Sequence, residues 1–155
     1  MESTDEIRTM VMTREDLPIL ERFLAHYGES FEPGRPSRAT FDEFIHLDSA
    51  WCILALADEE PIGLCVAVRI PKLDTRTGFL FIDEIYVAEP WRRFGAGRRL
   101  IAHAEKLAKE RRLAGIRLLA RPVDEAAQAF YAALGYAGSV TLFHERLFVQ
   151  GADQI

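Results

Sequence analysis

Two cysteines and four histidines are the only thiol and imidazole side chains in 155 residues. His26, His46, His103 and His144 stand at no metal-ligand spacing to one another or to a cysteine, so no metal site is expected. Cys52 and Cys65 each lie inside an apolar run. If the turn between them centres on Asp58-Glu59, they approach each other across a hairpin as buried, reduced thiols. Long hydrophobic runs are also absent. The longest, 51–57 and 79–82, fall far short of the roughly 20 residues a spanning helix needs, and residues 1–8 are polar where a secretory leader is apolar. The expectation is a cytoplasmic protein with no membrane partner. Excess positive charge is missing too: 19 Lys and Arg against 24 Asp and Glu give −5, which argues against nucleic acid as the main partner. No internal repeat or low-complexity segment occurs.

What remains is an ordinary globule. A hydrophobic fraction of 49% with 28% charged residues suits a packed core under a mixed-charge surface. The length fits one domain over 1–155, burying roughly two-thirds of its unfolded surface. A short strand is expected at 7–12. Thr13 then caps a helix with Glu15 and Asp16 in its first turn, Leu17, Leu20, Phe23 and Leu24 on one face, and Gly28 as its stop. Residues 29–38 read as an irregular loop. Thr40-x-x-Glu43 reads as a capping box opening a second helix over 40–48. Strands at 51–57 and 62–70 form a hairpin, and 71–77 is a polar turn. Trp51, Phe41 and Phe44 are expected in the core.

The stretch Phe79–Val87 is aromatic and β-branched, with Asp83-Glu84 set into it, and reads as a central strand that Pro90 closes. An Arg- and Gly-rich turn follows, and a helix is expected from about Gly97 to 112, with Leu100, Ile101, Ala104, Leu107 and Ala108 at helical spacing. Strand, glycine turn and helix start together make an anion site, because the first amides of a helix lack intrahelical partners. Arg92, Arg93, Arg98 and Arg99 add positive charge suited to phosphate. A Walker loop is excluded, since Gly97 precedes Arg98-Arg99 rather than Lys-Ser/Thr. A dinucleotide fingerprint is excluded as well: Leu100 stands where a third glycine or alanine belongs, and the next strand, 116–120, runs into Arg121 instead of an acid.

The spacing Arg92-x-x-Gly95-x-Gly97, preceded by Ile85-Tyr86-Val87-x-x-Pro, resembles the acetyl-CoA signature of the GCN5-related N-acetyltransferase (GNAT) superfamily. A second stretch agrees. Asp124, Ala127, Phe130-Tyr131 and Gly135-Tyr136 resemble the superfamily's later motif, with Asp124 where the family usually has Asn. Asp124 caps a helix that Gly135 ends, and 140–149 closes the chain as one long or two broken strands. The order β-αα-βββ-α-β-α-ββ is that of the superfamily: a single α/β domain with a mixed sheet flanked by helices.

The resemblance implies acetyl-CoA as cosubstrate, with Arg92, Arg93, Phe94, Gly95, Ala96, Gly97 and Arg98 around the pyrophosphate. The pantetheine arm would run along Ile85, Tyr86 and Val87, with Asp124, Ala127 and Tyr131 completing the cofactor site. Tyr131 matches the tyrosine that protonates the departing thiolate. Asp83 and Glu84 are candidate bases; alternation places them on opposite faces, and Asp83 is favoured because it matches the carboxylate proposed as base in polyamine and some aminoglycoside acetyltransferases. The acceptor would be a small cationic amine, polyamine- or aminosugar-like, attracted by acids such as Glu29, Glu32, Asp42 and Glu43. The alternatives are a protein N-terminus or lysine, or an acyl-CoA-binding module without turnover. A homodimer remains open.

Overall fold

Among the described residues five strands form one sheet whose spatial order is also chain order: β1 (Arg8–Val11), β2 (Ala50–Ala57), β3 (Glu60–Ile70), β4 (Phe79–Val87) and β5 (Gly115–Leu118). The computed structural model describes residues 6–27, 38–74 and 77–148. Neighbours from β1 to β4 are antiparallel, while β4 and β5 are parallel. A parallel pair cannot be joined by a tight turn. The connection is the long helix α3 (Ala96–Glu110). Before β2 come a 3-10 turn at 14–16, α1 (Leu17–Tyr27) and α2 (Arg38–Ile45). The chain divides into two compact units, 1–118 and 119–155.

β2 reads Ala-Trp-Cys-Ile-Leu-Ala-Leu-Ala, without a polar residue, and is buried along its whole length. Such a run requires cover on both faces of the sheet. On one face Leu20, Phe23 and Leu24 of α1 and Phe41 of α2 pack with Cys52, Leu54, Leu56 and Leu64. Phe23 is fully buried there, and truncating such a side chain to alanine costs about 3–5 kcal/mol. Leu100, Ile101, Ala104, Leu107 and Ala108 are the buried stripe of α3. Thr9 Oγ1 and His103 Nδ1, 2.8 Å apart, tie β1 to α3, and the Arg111 guanidinium lies 5.0 Å from the Trp51 ring centre.

The hairpin between β2 and β3 turns on Asp58 and Glu59, with φ of 46° and 66°. Positive φ at both central positions suits the right-handed twist of the strands, although glycine usually supplies it. Glu59 is held there by Arg8, whose Nε and NH2 donate to its two carboxylate oxygens at 2.9 and 2.6 Å, keeping its carboxyl below the usual range. Ile53 pairs with Cys65, and Cys52 with Val66. The thiols are therefore neighbours on adjacent strands but belong to opposite faces, so no disulfide can join them. Burial pushes both up to about 12.

Two expectations change, and a third cannot be compared. α2 starts at Arg38, so Thr40-x-x-Glu43 lies inside the helix rather than capping it. Gly28 and the loop 29–37 lie outside the described residues. Among the described residues, no strand forms over 137–148, in place of the closing strands expected at 140–149. β-propensity marks a segment that fits a sheet, but only a ladder with a partner makes a strand.

In the second unit, Asp124 caps α4 (Glu125–Ala133), its carboxylate accepting the Ala127 amide at 3.0 Å. Gln128 Nε2 donates to the Arg121 carbonyl at 3.1 Å. Gly135, at φ 88°, ends the helix with the left-handed residue such stops favour.

Candidate active site

The pairing of β3 with β4 is regular from Gly63↔Val87 to Val66↔Glu84, then resumes at Ala67↔Ile82. Asp83 has no partner in that count. It is the extra residue of a β-bulge, and a bulge resets the alternation of faces. Ile82, opposite Ala67, belongs to the same face as Trp51 and α3; Asp83 follows it on the other face. Glu84 lies opposite Val66, and Val66 and Tyr86 pack on the α1–α2 core. Asp83 and Glu84 therefore share the α1–α2 face, not opposite faces as alternation predicts. Asp83 is exposed and Glu84 half-buried. Burial, and then the Asp83 charge beside it, raise the Glu84 pKa above the ordinary carboxylate value.

The same ladder determines which main-chain groups of β4 are committed. The Ala88 amide donates to the Ile62 carbonyl at 2.8 Å. This sets the phase: residues 84, 86 and 88 exchange hydrogen bonds with β3, whereas Ile85 and Val87 turn their amides and carbonyls the other way. On that other side β5 pairs with β4 only from Phe79↔Gly115 to Ile82↔Leu118. The strands part at the bulge, and the polar edge of Ile85 and Val87 lies beyond the last pair. An extended ligand carrying amides can add to such an edge as a strand does.

The turn after β4 is a 3-10 turn over Glu89–Trp91 with Pro90 inside it. Arg92 folds back on its own strand: Nε donates to the Val87 carbonyl at 3.0 Å, and the guanidinium sits 5.7 Å from the centre of the Tyr86 ring. Tyr86 in turn meets Phe23 edge-on at 5.9 Å. Arg93 and Gly95 are left-handed, at φ 69° and 88°, and α3 opens at Ala96, one residue before the expected Gly97. The Arg99 amide bonds the Gly95 carbonyl at 3.1 Å. The amides of Ala96, Gly97 and Arg98 precede that bond and point out of the helix, where the dipole favours an anion. Arg93, Arg98 and Arg99 are exposed around them, and the largely exposed Phe94 packs edge-on against Trp91 at 6.0 Å. Such an arrangement can hold a pyrophosphate.

In the second unit, Tyr131 lies on α4 between Phe130 and Tyr136, with ring centres 5.1 and 5.9 Å away. The Tyr136 amide bonds the Tyr131 carbonyl at 3.0 Å, drawing the chain after Gly135 back onto the helix end. Asp124 and Ala127 meet each other as cap and capped amide. Of the acids expected near an acceptor, Glu29 and Glu32 lie outside the described residues, and Asp42 pairs with Arg14 Nε at 3.7 Å. Sequence reasoning missed Gly63, which faces Val87 across the ladder. Its signal was present: an isolated glycine in an apolar strand marks a bulge or a close backbone approach.

The chain belongs to the acetyltransferase (GNAT) family, whose sequence model matches residues 18–136. It is an acetyl-CoA-dependent N-acetyltransferase. Solved structures agree on the fold. An aminoglycoside acetyltransferase from an uncultured soil metagenomic sample is 24% identical with a TM-score of 0.80, covering 92% of this chain and 99% of that one. AAC(6')-Iy, in complex with the bisubstrate analogue CoA-S-monomethyl-acetylneamine, is 21% identical with a TM-score of 0.75, at coverages of 92% and 99%. A ribosomal-protein-alanine N-acetyltransferase from Brucella melitensis biovar Abortus 2308 is 20% identical with a TM-score of 0.73, again covering 92% and 99%. No curated protein matches the chain in sequence. No helix among the described residues is long and apolar enough to cross a membrane.

Proposed function

We propose that the chain acts as one domain that moves acetyl from acetyl-CoA to a small cationic amine, polyamine- or aminosugar-like, by direct attack in a ternary complex. The observation that carries this reading is the bulge, which sets two carboxylates on one face of β4 beside the strand's open edge. In the proposed complex the pyrophosphate lies on the amides of residues 96–98, and the pantetheine amides pair with Ile85 and Val87. The amine nitrogen attacks the thioester carbonyl, the N–C bond forms and the C–S bond breaks. The proton released by nitrogen goes to a carboxylate, and Tyr131 protonates the departing thiolate.

An alkylamine has a pKa of about 10.4, so presenting it neutral at pH 7 costs roughly 4–5 kcal/mol. A base of raised pKa accepts that proton more readily than an ordinary carboxylate. This favours Glu84 as the acceptor, with the Asp83 charge beside it, over Asp83 alone. The resemblance favours Asp83 by its match to the carboxylate of polyamine and some aminoglycoside acetyltransferases; the bulge, by setting both acids on one face, lets either of them meet the amine. Two acids on one face also attract a cation before reaction. The neighbours that act on aminoglycosides support a small polycationic acceptor, and the ribosomal-protein acetyltransferase supports a protein N-terminus as the second reading. A cytoplasmic location belongs to this proposal, in keeping with two buried thiols that cannot be bridged.

The test is a screen for CoA-thiol release with acetyl-CoA and a panel of polyamines, aminosugars and N-terminal peptides. Turnover on the small amines is the expected result. Turnover confined to peptides moves the acceptor to the second reading, and release with no acceptor in the panel overturns both.

A further inference from the structure

A glycine inside a strand weakens it, so Gly63 needs a reason. It lies on β3 directly opposite Val87, at the end of β4 that has left β5. The register of β3 against β2 is irregular beside it: Ala55 pairs with Gly63, but Leu56 pairs with Pro61. A Cβ placed on Gly63 would stand 2.8 Å from the Tyr86 carbonyl oxygen and 3.4 Å from both Cα and Cγ2 of Val87. The nearest atom is main chain, which cannot swing aside as the end of a flexible side chain can. Ladder bonds tie β4 to β3 on both sides of this point, at 62/88 and 64/86, so a methyl at 63 could be accommodated only by moving main chain and changing the fit of β3 against residues 85–87.

We propose that Gly63 is a positioning residue: by letting β3 and β4 close up, it fixes the edge of Ile85 and Val87 where the amides of the acetyl-CoA arm pair with it. This rests on the proposed path of that arm along β4. The pyrophosphate amides lie on α3, at the other end of the cofactor, and Gly63 reaches that turn only indirectly, through Val87 and its bond to Arg92, which makes the two contributions separable in size. A probe that carries the nucleotide and its phosphates but no arm is 3′-phospho-ADP.

The experiment is calorimetric titration of the wild-type chain and of Gly63→Ala with acetyl-CoA and with 3′-phospho-ADP. Losing two strand-type hydrogen bonds costs roughly tenfold to a hundredfold in affinity. Gly63→Ala is expected to weaken acetyl-CoA by roughly tenfold to a hundredfold and 3′-phospho-ADP much less. Equal loss of both ligands, or loss of neither, overturns the role of Gly63 and leaves the function standing. If the wild-type chain binds neither ligand, the reading of the cofactor site fails first. Should Gly63→Ala not fold, amide exchange in the wild-type chain decides. Acetyl-CoA, and not 3′-phospho-ADP, must then slow the amides of Ile85 and Val87. Without that difference Gly63 has no edge to position.

Discussion

A carboxylate that loses water on folding holds its proton more tightly, and at Glu84 the charge of Asp83 adds to the effect. The consequence for stability has a definite sign. The folded pKa is raised, so the folded chain binds more protons than the unfolded one, and stability falls as pH rises from the unfolded value of about 4.3 through the folded value. Glu84→Gln removes that term, and a urea titration is expected to show the variant at least as stable as the wild type at pH 7. Its kinetics are expected to move the other way. With acetyl-CoA and a small amine, Glu84→Gln should depress turnover at neutral pH, remove the acidic limb of the pH–rate profile, and recover at high pH where the amine is already neutral. Asp83→Asn should keep the limb but shift it to lower pH, because the charge that raised Glu84 is gone. If Asp83→Asn is the variant that loses the limb, Asp83 is the base. If neither substitution moves the profile, no carboxylate of β4 takes the proton.

At the scale of elements, β4 and the turn after it form the working unit, and much of this was legible in the sequence. The bounds of β4 follow from its unbroken aromatic and β-branched run, and the anion turn from arginine and glycine spacing. These are local signals, set by the propensities of consecutive residues. The Asp124 cap on the Ala127 amide was legible for the same reason. The bulge was not. A one-residue offset is decided by the partner strand, so counting alternation along Ile82-Asp83-Glu84-Ile85 gives the wrong face beyond the offset. The back-folding of Arg92 onto Val87 escaped for a related reason, since an arginine next to a glycine turn carries no mark of what its side chain meets. Gly97 provides the test of this element. It is the second residue of α3, and in the proposed complex a Cβ there would crowd the phosphate against the amides of 96–98. A ligand at a hundred times its Kd adds about 2.7 kcal/mol to stability. Saturating acetyl-CoA is expected to raise the melting temperature of the wild type accordingly, and Gly97→Val should abolish the shift while remaining folded. An unmoved wild-type melt, with no heat on titration, contradicts the cofactor site.

For the whole molecule, the family match from 18 to 136 takes in α1 at one end and α4 at the other, so it includes residues of both compact units. Tyr131 is the residue in the smaller unit to which the proposed chemistry gives a task. Its ring packs against Phe130 and Tyr136, an arrangement that a core aromatic would show equally well. The hydroxyl therefore carries the argument. A phenol of pKa about 10 can protonate a thiolate of comparable basicity, and a positioned acid contributes about 10²- to 10⁴-fold. Tyr131→Phe keeps the ring and its packing and removes only the hydroxyl. Acetyl-CoA is expected to stabilise this variant almost as it does the wild type, while single-turnover transfer falls by about 10²- to 10⁴-fold. Loss of both would mean that the hydroxyl serves folding or cofactor binding. Unchanged transfer, under conditions where chemistry limits the rate, would return Tyr131 to a packing role and leave the thiolate to be protonated by water.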